Sequence, residues 1–585
     1  MKGFFKIMLA TMAGMLLLGV LMFVLLLVVG FASMSGSAPV KPNSVLVLDV
    51  RNAEVQERVS GDNPYQMFAA DRGVSYIGLN DWDAVLKNAA DDQNIKGVSL
   101  ELGQISASPA TLEAMRDALL RFKKSGKFVY AYGISMSQGD YYLATAADSI
   151  FLHPVGTMMF NGLSAQVMFY KELLDKLDVD VQIVRHGAYK SAVEPFISRK
   201  MSEANREQVT EYLQSVWGVF CKDIATARKI DEKSVRVVAD NLMLFDNPHA
   251  ALSTRFVDGL AYDDVYRRIL KTRAYARDTA KVCEVAYSDY LQNLHSSVSA
   301  PYKVAVVYAT GTVVDGEGGQ DEIGSDMLET LRKLREEKSV KAVVLRINSG
   351  GGSGLMSEQI WREVTLLKRD RPVIVSMGDY AASGGYYIAC AADRIVAEPT
   401  TITGSIGVFW MVPSLGRTLS RKLGVDVETV NTNSSSDWLN GLRTMTESEY
   451  DIVQQSVDRF YDTFVRRVAD GRRLGVRYVD GIAQGRVWTG EQALGKGLVD
   501  TLGGLDLAIR IAAEQAKLSK YAIMERPVME NFFSRMLTAM SGARAVRNSS
   551  RNALPAAFAP YLELERTLRG RSGVQAMLPY QITIR

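Results

Sequence analysis

The first pattern along the chain is an unbroken apolar one. From Ile7 to Met34 no residue is charged, and Met8–Phe31 is almost wholly hydrophobic. At about 1.5 Å of rise per helical residue, such a run is long enough to cross a hydrocarbon core of about 30 Å. Lys2 and Lys6 precede it and the next charge is Lys41, so the positive-inside rule predicts a short cytoplasmic N-terminus with the body on the far side. A cleavable signal peptide would carry a shorter apolar core, about 7–15 residues. Residues 1–34 are therefore expected to be an uncleaved, single-span anchor, followed by a polar linker over 35–43.

Beyond the linker the period changes. Short apolar runs, SVLVLDV (44–50), IKGVSLEL (95–102), KFVYAYG (127–133) and SIFLHP (149–154), are separated by helical stretches such as SPATLEAMRDALLRFKKSG (108–126). The same order returns as YKVAVVY (302–308), VKAVVLRI (340–347), LMSEQIWREVTLLKRD (355–370), RPVIVSMG (371–378) and RIVAEP (394–399). Apolar runs bounded by helices predict an α/β fold with parallel sheets covered on both faces.

The repetition is literal in places. KFVYAYGISMSQGDYYLATAAD (127–148) returns as the stretch ending SMGDYAASGGYYIACAAD at Asp393, and KLDVDVQIVRHGAYKSAVEPF (176–196) returns as KLGVDVETVNTNSSSDWL (422–439). Helices opening MSEANREQV (201–209) and MTESEYDIV (445–453) follow, the second with Thr446 and Glu449 at capping-box spacing. The chain is thus read as a tandem duplication, 44–299 and 300–515. A tail over 516–585, with Arg544, Arg547, Arg551, Arg566, Arg569 and Arg571, reads as a solvated end.

Composition narrows the function classes. A chain of 585 residues exceeds one hydrophobic core, and 47% hydrophobic with 23% charged residues describes globular domains. A net charge of +3 gives no basic face for nucleic acid. Cys221, Cys283 and Cys390 are too few and scattered for a disulfide framework or a zinc site. No metal or cofactor motif is present, so none is expected.

The two copies differ where chemistry would sit. Ser383, within Ala381-Ala382-Ser383-Gly384-Gly385, stands where a strand gives way to a helix; the first copy has Gln138-Gly139-Asp140 there. Such a junction predicts a hydroxyl exposed near a helix N-terminus. Serine needs a base to become a nucleophile. His153, His186, His249 and His295 all lie in the first half or the connector, none in a comparable motif. Lys190 can serve if burial lowers its pKa to about 7–8, and no carboxylate stands beside it before Glu194. Its second-half counterpart offers Ser434, Ser435 and Ser436. Equivalent positions in two copies of one sheet can face each other across a shared cleft, and a split Ser/Lys pair is expected on that ground. Asn348-Ser349-Gly350-Gly351-Gly352-Ser353-Gly354, after a strand and before a helix, suits backbone N–H donors for an oxyanion. A phosphate loop would need a lysine and hydroxyl that are missing.

HGAYKSAVEPF, LRINSGGGSG, GDYAASGGYYIACAAD, TITGSIGV and GRVWTGEQALGKGLVD together resemble the long, duplicated form of peptidase family S49, from the anchor to about residue 515. The resemblance implies a tandem Clp-protease/crotonase-like α/β fold. It implies a serine endopeptidase anchored in the bacterial inner membrane, facing the periplasm, assembled as a homotetramer, and degrading cleaved signal peptides. By the same resemblance Ser383 is the nucleophile, Lys190 the general base, Ser405 the residue that orients the lysine, and the N–H groups of Gly351 and Gly384 the oxyanion donors. One departure is NSGGGS where relatives have NSPGGS; losing the proline loosens the free loop. Two rivals remain: a crotonase-like acyl-CoA enzyme, which an extracytoplasmic address disfavours, and an idle scaffold, which the retention of both Lys190 and Ser383 disfavours.

Overall fold

The computed structural model describes residues 40–59, 73–274, 283–294, 300–319, 321–529 and 574–577, with isolated positions before residue 22. The apolar run Met8–Phe31 lies almost wholly outside them. Among the described residues no helix is long and apolar enough to cross a membrane.

Two sheets carry the two halves, the first parallel throughout and the second parallel except for its edge strand Val487–Thr489, which runs antiparallel to Ile402–Gly404. The first runs, edge to edge, Gly259–Leu260, Ser149–Met158, Phe128–Met136, Ile95–Leu102, Ser44–Asp49, Cys283–Ala286. The second repeats that order with Val373–Ala382, Val340–Ser349, Lys303–Thr310 and Ala522–Arg526, while Arg394–Ala397 and Ile402–Gly404 both pair with the far side of Val373–Ala382. The unbroken apolar runs reflect burial on both faces. Along 340–349, Val343, Leu345 and Ile347 enter one core, and Ala342 and Val344 enter another on the opposite face, as a period of two requires. The duplication extends to helices Glu203–Arg228 and Glu447–Arg472, each of 26 residues. Ser202 caps the first, and Thr446 with Glu449 forms the capping box of the second.

A third sheet mixes the halves, in the order Glu322–Ile323, Thr312–Val313, Gly351–Ser353, Gln575–Met577, Val408–Ser414, Asp180–His186. Its last pair joins first half to second: Asp180–His186 runs antiparallel to Val408–Ser414 through seven residue pairs, from Asp180 opposite Ser414 to His186 opposite Val408.

Two features depart from the sequence reading. The strand expected to stop at Gly378 continues to Ala382, so the short helix Gly384–Ala389 begins directly after Ser383. The tail expected to be solvated supplies two strands: Ala522–Arg526 extends the second sheet, and Gln575–Met577 sits inside the third. Segments of five and three residues are too short for periodicity to announce them in an arginine-rich stretch.

Candidate active site

Ser383 occupies a backbone conformation that L residues avoid, φ +56° and ψ −115°. Hydrogen bonds on both sides hold it there: its N–H donates to the Gly404 carbonyl at 2.8 Å, and its own carbonyl accepts from Tyr387 N–H at 2.8 Å. The glycines that follow are required by close approach. A Cβ at Gly384 would stand 2.7 Å from Ser357 Oγ, and one at Gly385 would stand 2.7 Å from the Ser349 carbonyl. Ser383 is fully buried, where a strand-to-helix junction alone suggests exposure.

Lys190 arrives from the other half. Strand Asp180–His186 is locked to Val408–Ser414, Gly187 turns the chain at φ +110°, and Lys190 follows at the start of a short helical turn. Its Nζ lies 2.7 Å from Ser383 Oγ, 3.0 Å from Ser405 Oγ and 3.3 Å from the Ser405 carbonyl. Lys190, Ser383 and Ser405 are all fully buried. Burial alone draws the Lys190 ammonium well below its ordinary range. Glu194, the nearest carboxylate in sequence, is turned elsewhere and accepts from Ser202 Oγ and Asn205 Nδ2. Gly485 makes the seclusion possible, since a Cβ there would fall 2.7 Å from Lys190 N and Cβ.

Ser405 shares the strained geometry, with φ +50° and its N–H donating to the Arg486 carbonyl at 2.7 Å. One supporting residue escaped the sequence reading. Gln208 Nε2 donates to the Tyr189 carbonyl (3.1 Å) and to Ser191 Oγ (2.9 Å), so it grips both neighbours of Lys190, and its Oε1 accepts from Val487 N–H at 3.3 Å. The available signal was a glutamine three residues after Asn205, placing two polar groups on the face that also carries Val209 and Tyr212.

The glycine loop closes the site. Gly351 and Gly352 have φ of +95° and +152°, a region that favours glycine. A Cβ on Gly351 would sit 2.6 Å from Gly384 N and 2.0 Å from the Ala576 carbonyl oxygen, so three elements converge on one small space. The Gly351 N–H donates to Ser349 Oγ at 3.1 Å. Gly352 N stands 3.1 Å from where a Gly384 Cβ would be, and the Gly384 N–H opens its helix, where N–H groups lack an intrahelical acceptor.

The matching place in the first half is filled by its own side chain. Asp140 accepts from the N–H groups of Gly103, Gln104 and Ile105 at 3.3, 2.7 and 3.2 Å, and from Ser137 N and Oγ. A cradle of backbone donors exists there too, occupied by the Asp140 side chain. Gln138, which stands where Ser383 does, bonds Asn161 and Gly162 instead. His186 is committed to Asp458 at 2.7 Å and stacks on Tyr461; among the described residues no histidine bonds Ser383.

The arrangement brings together a hydroxyl, an amine whose burial disfavours its charged form, and a group of backbone N–H donors. The profile of peptidase family S49 matches residues 121–275 and 365–519. Protease 4 of Salmonella typhi is 37% identical over 446 residues, spanning 74% of this chain and 72% of its own length. Protease 4 of Haemophilus influenzae is 37% identical over 444 residues, with 73% and 71% covered. The chloroplastic serine protease SPPA of Arabidopsis thaliana is 33% identical over 441 residues, with 74% and 64% covered. Among solved structures, a ClpP1 mutant from Listeria monocytogenes aligns with 35% of this chain and 94% of its own at 14% identity and a TM-score of 0.24, a likeness too slight to bear on the fold. On the profile and the relatives, this chain belongs to peptidase family S49 and is a serine peptidase.

Proposed function

We propose that the chain cleaves peptide bonds with a Ser383/Lys190 dyad assembled from its two halves. The observation that carries this reading is the 2.7 Å separation of Lys190 Nζ and Ser383 Oγ, both fully buried. Neutral Lys190 takes the Ser383 proton as Oγ attacks the carbonyl carbon. The oxyanion settles between the Gly384 N–H and the Gly351–Gly352 loop. With the Gly351 N–H turned to Ser349, Gly352 is the loop's donor and Gly351 the residue whose missing side chain leaves room. Lys190 returns the proton to the leaving amine, and water repeats the sequence on the ester. Ser405 keeps Nζ pointed at Ser383.

Substrates are extended, apolar peptides, cleaved signal peptides among them, met on the periplasmic face of the inner membrane to which Met8–Phe31 anchors the enzyme. Assembly with further copies is supported by the duplication. Strand Asp180–His186 pairs with Val408–Ser414, yet their counterparts, 426–432 and 162–168, form no strand, and Val430 is 95% exposed. Pairing of these two between neighbouring copies would repeat the internal contact and close a ring, with a tetramer as the expected size.

Treatment with an acylating serine probe followed by peptide mapping tests the dyad. The adduct is expected on Ser383 in the parent and nowhere in Lys190→Ala. An adduct on a different serine, with turnover lost, sinks the assignment.

A further inference from the structure

A single turn bonds the main chain on either side of the lysine site. Gln484 and Gly485 stand side by side in the left-handed region, at φ +53° and +78°, a conformation that costs a glutamine free energy unless its surroundings hold it. The Gln484 carbonyl accepts from Tyr189 N–H at 2.9 Å, and the Arg486 carbonyl accepts from Ser405 N–H at 2.7 Å. Between them the Gly485 N–H donates to the Ile406 carbonyl at 2.8 Å. The turn thus grips the residue just before Lys190 on one side and Ser405 with its successor on the other. Packing is equally close: a Cβ at Gly187 would stand 2.5 Å from the Gln484 carbonyl, and one at Gly485 would stand 2.7 Å from Lys190 N.

The Gln484 side chain ties this turn to one hydroxyl. Gln484 Nε2 donates to Tyr461 Oη at 2.9 Å and to Asp480 Oδ1 at 2.8 Å, and the Gln484 N–H donates to the same Tyr461 oxygen at 3.3 Å. That hydroxyl in turn donates to Asp480 Oδ1 at 2.6 Å. A phenol has one proton and two lone pairs, so its whole capacity is used. Asp480 alone would satisfy a buried core tyrosine; the two bonds from Gln484 go beyond that need. The Tyr461 ring stacks on His186, with centroids 3.9 Å apart and planes at 17°. His186 ends the strand that leads to Lys190, and Asp458, which also accepts from Gln454, fixes it. One side chain of helix Glu447–Arg472 therefore braces both approaches to Lys190, the strand end through its ring and the covering turn through its hydroxyl.

We propose that Tyr461, acting through Gln484, is a positioning residue for the general base: it fixes the turn 484–486, and the turn holds Lys190 Nζ against Ser383 and Ser405 together. This rests on the dyad reading. Without the hydroxyl the turn loses its anchor while the groups that meet the substrate stay in place, so the loss falls on kcat and not on KM. Gly485 also covers Lys190 less closely, water reaches the amine, and the acid limb of the pH profile moves to higher pH.

The test compares the full chain with Tyr461→Phe, Gln484→Met, the double variant, Tyr450→Phe and Lys190→Ala, on a fluorogenic apolar peptide across pH. Tyr450 lies on the same helix and its hydroxyl donates to the Ile183 carbonyl at 3.1 Å, so Tyr450→Phe removes a hydroxyl from the same strand without touching the turn. Tyr461→Phe and Gln484→Met are each expected to lower kcat by about 10–100-fold, the range for groups that orient a reactive one, with KM unchanged and the acid limb displaced upward. The double variant should fall no further than the worse single one, because both delete the same contact. Tyr450→Phe should keep the parent's kcat and acid limb even where its melting temperature drops. Gln484 is only half-buried, so Gln484→Met decides the matter if Tyr461→Phe does not fold. Parent-like kcat and acid limb in either folded variant, whatever the melting temperature, overturns the proposal, and so do losses that multiply in the double variant. If Lys190→Ala keeps full activity, the dyad reading falls and the positioning role with it. If Lys190→Ala is inactive while Tyr461→Phe and Gln484→Met match the parent, only the positioning role falls.

Discussion

Lys190 must be neutral to accept a proton, and its surroundings supply only desolvation to make it so. Kcat/KM is therefore expected to fall as pH drops through the depressed lysine pKa, because the ammonium has no lone pair. A profile flat down to about pH 5 would contradict a lysine base. The same burial has a stability consequence of definite sign. Unfolded lysine keeps its proton to about pH 10.4, whereas the folded one releases it earlier, so the unfolded state binds more protons in that window and this site's contribution to stability rises with pH. Lys190→Met should abolish turnover and flatten that rise, read by melting across pH. Ser405→Ala leaves Nζ with fewer anchors, and a loss of about 10–100-fold in kcat is expected, the range seen for outer groups that orient a reactive one. The asymmetry of the two copies singled out Ser383 and Lys190 in the sequence, and the structure brings their side chains within 2.7 Å. That asymmetry could not show that Gly351 turns its N–H to Ser349, since a glycine run does not declare which amide faces the cleft. Nor could it show Ser383 buried, because one segment beside it, Gln575–Met577, lies far along the chain in the tail.

At the scale of elements, what aligns the halves is a set of buried polar contacts at their seam. Arg346 is fully enclosed and donates to both oxygens of Glu57 at 2.9 Å, and Asn348, just before the glycine loop, bonds Glu57 and Asp379. Asp379 in turn accepts from Thr111 N and Oγ1 of the first half. Glu57→Ala would strand a buried guanidinium, and a loss of about 3–5 kcal/mol in unfolding free energy is expected by denaturant titration. Deeper in the same seam, Glu113 accepts from Thr400 N and Oγ1. Burial raises both Glu113 and its neighbour Glu398, the latter to about 8, and the charge of Glu398 lifts Glu113 further. Here the folded state holds more protons, so this pair's contribution is complete below the ordinary carboxylate range and declines as pH rises toward 8. Glu113→Gln should flatten the decline between pH 5 and 8; an unchanged slope in melting temperature would mean the pair does not titrate as described. None of these contacts is visible in the sequence, where an arginine on a strand or a glutamate on a helix looks like ordinary surface charge.

Over the whole molecule, duplication explains more than the repeated sheets. One copy of the strand that follows residue 176 crosses to the other half and delivers Lys190; the other copy, 426–432, leaves Val427 and Val430 exposed. Val427→Asp with Val430→Asp should lower the assembly mass seen by light scattering without lowering the melting temperature. Full-size assemblies of that variant would remove the ring argument. The alternation of apolar runs and helices was enough to foresee the paired parallel sheets, because those strands are buried on both faces and carry their own signal. The mixed third sheet was not foreseen, since four of its six strands have only two or three residues and the six are drawn from both halves and the tail.

The most direct test of the split dyad is hydrolysis of a fluorogenic apolar peptide by the parent, Ser383→Ala and Lys190→Ala, with folding checked by melting. The account predicts that both substitutions, made in different halves, reduce kcat by on the order of 10³-fold or more in proteins that still melt cooperatively. Lys190→Ala with full activity would place the base elsewhere and contradict it.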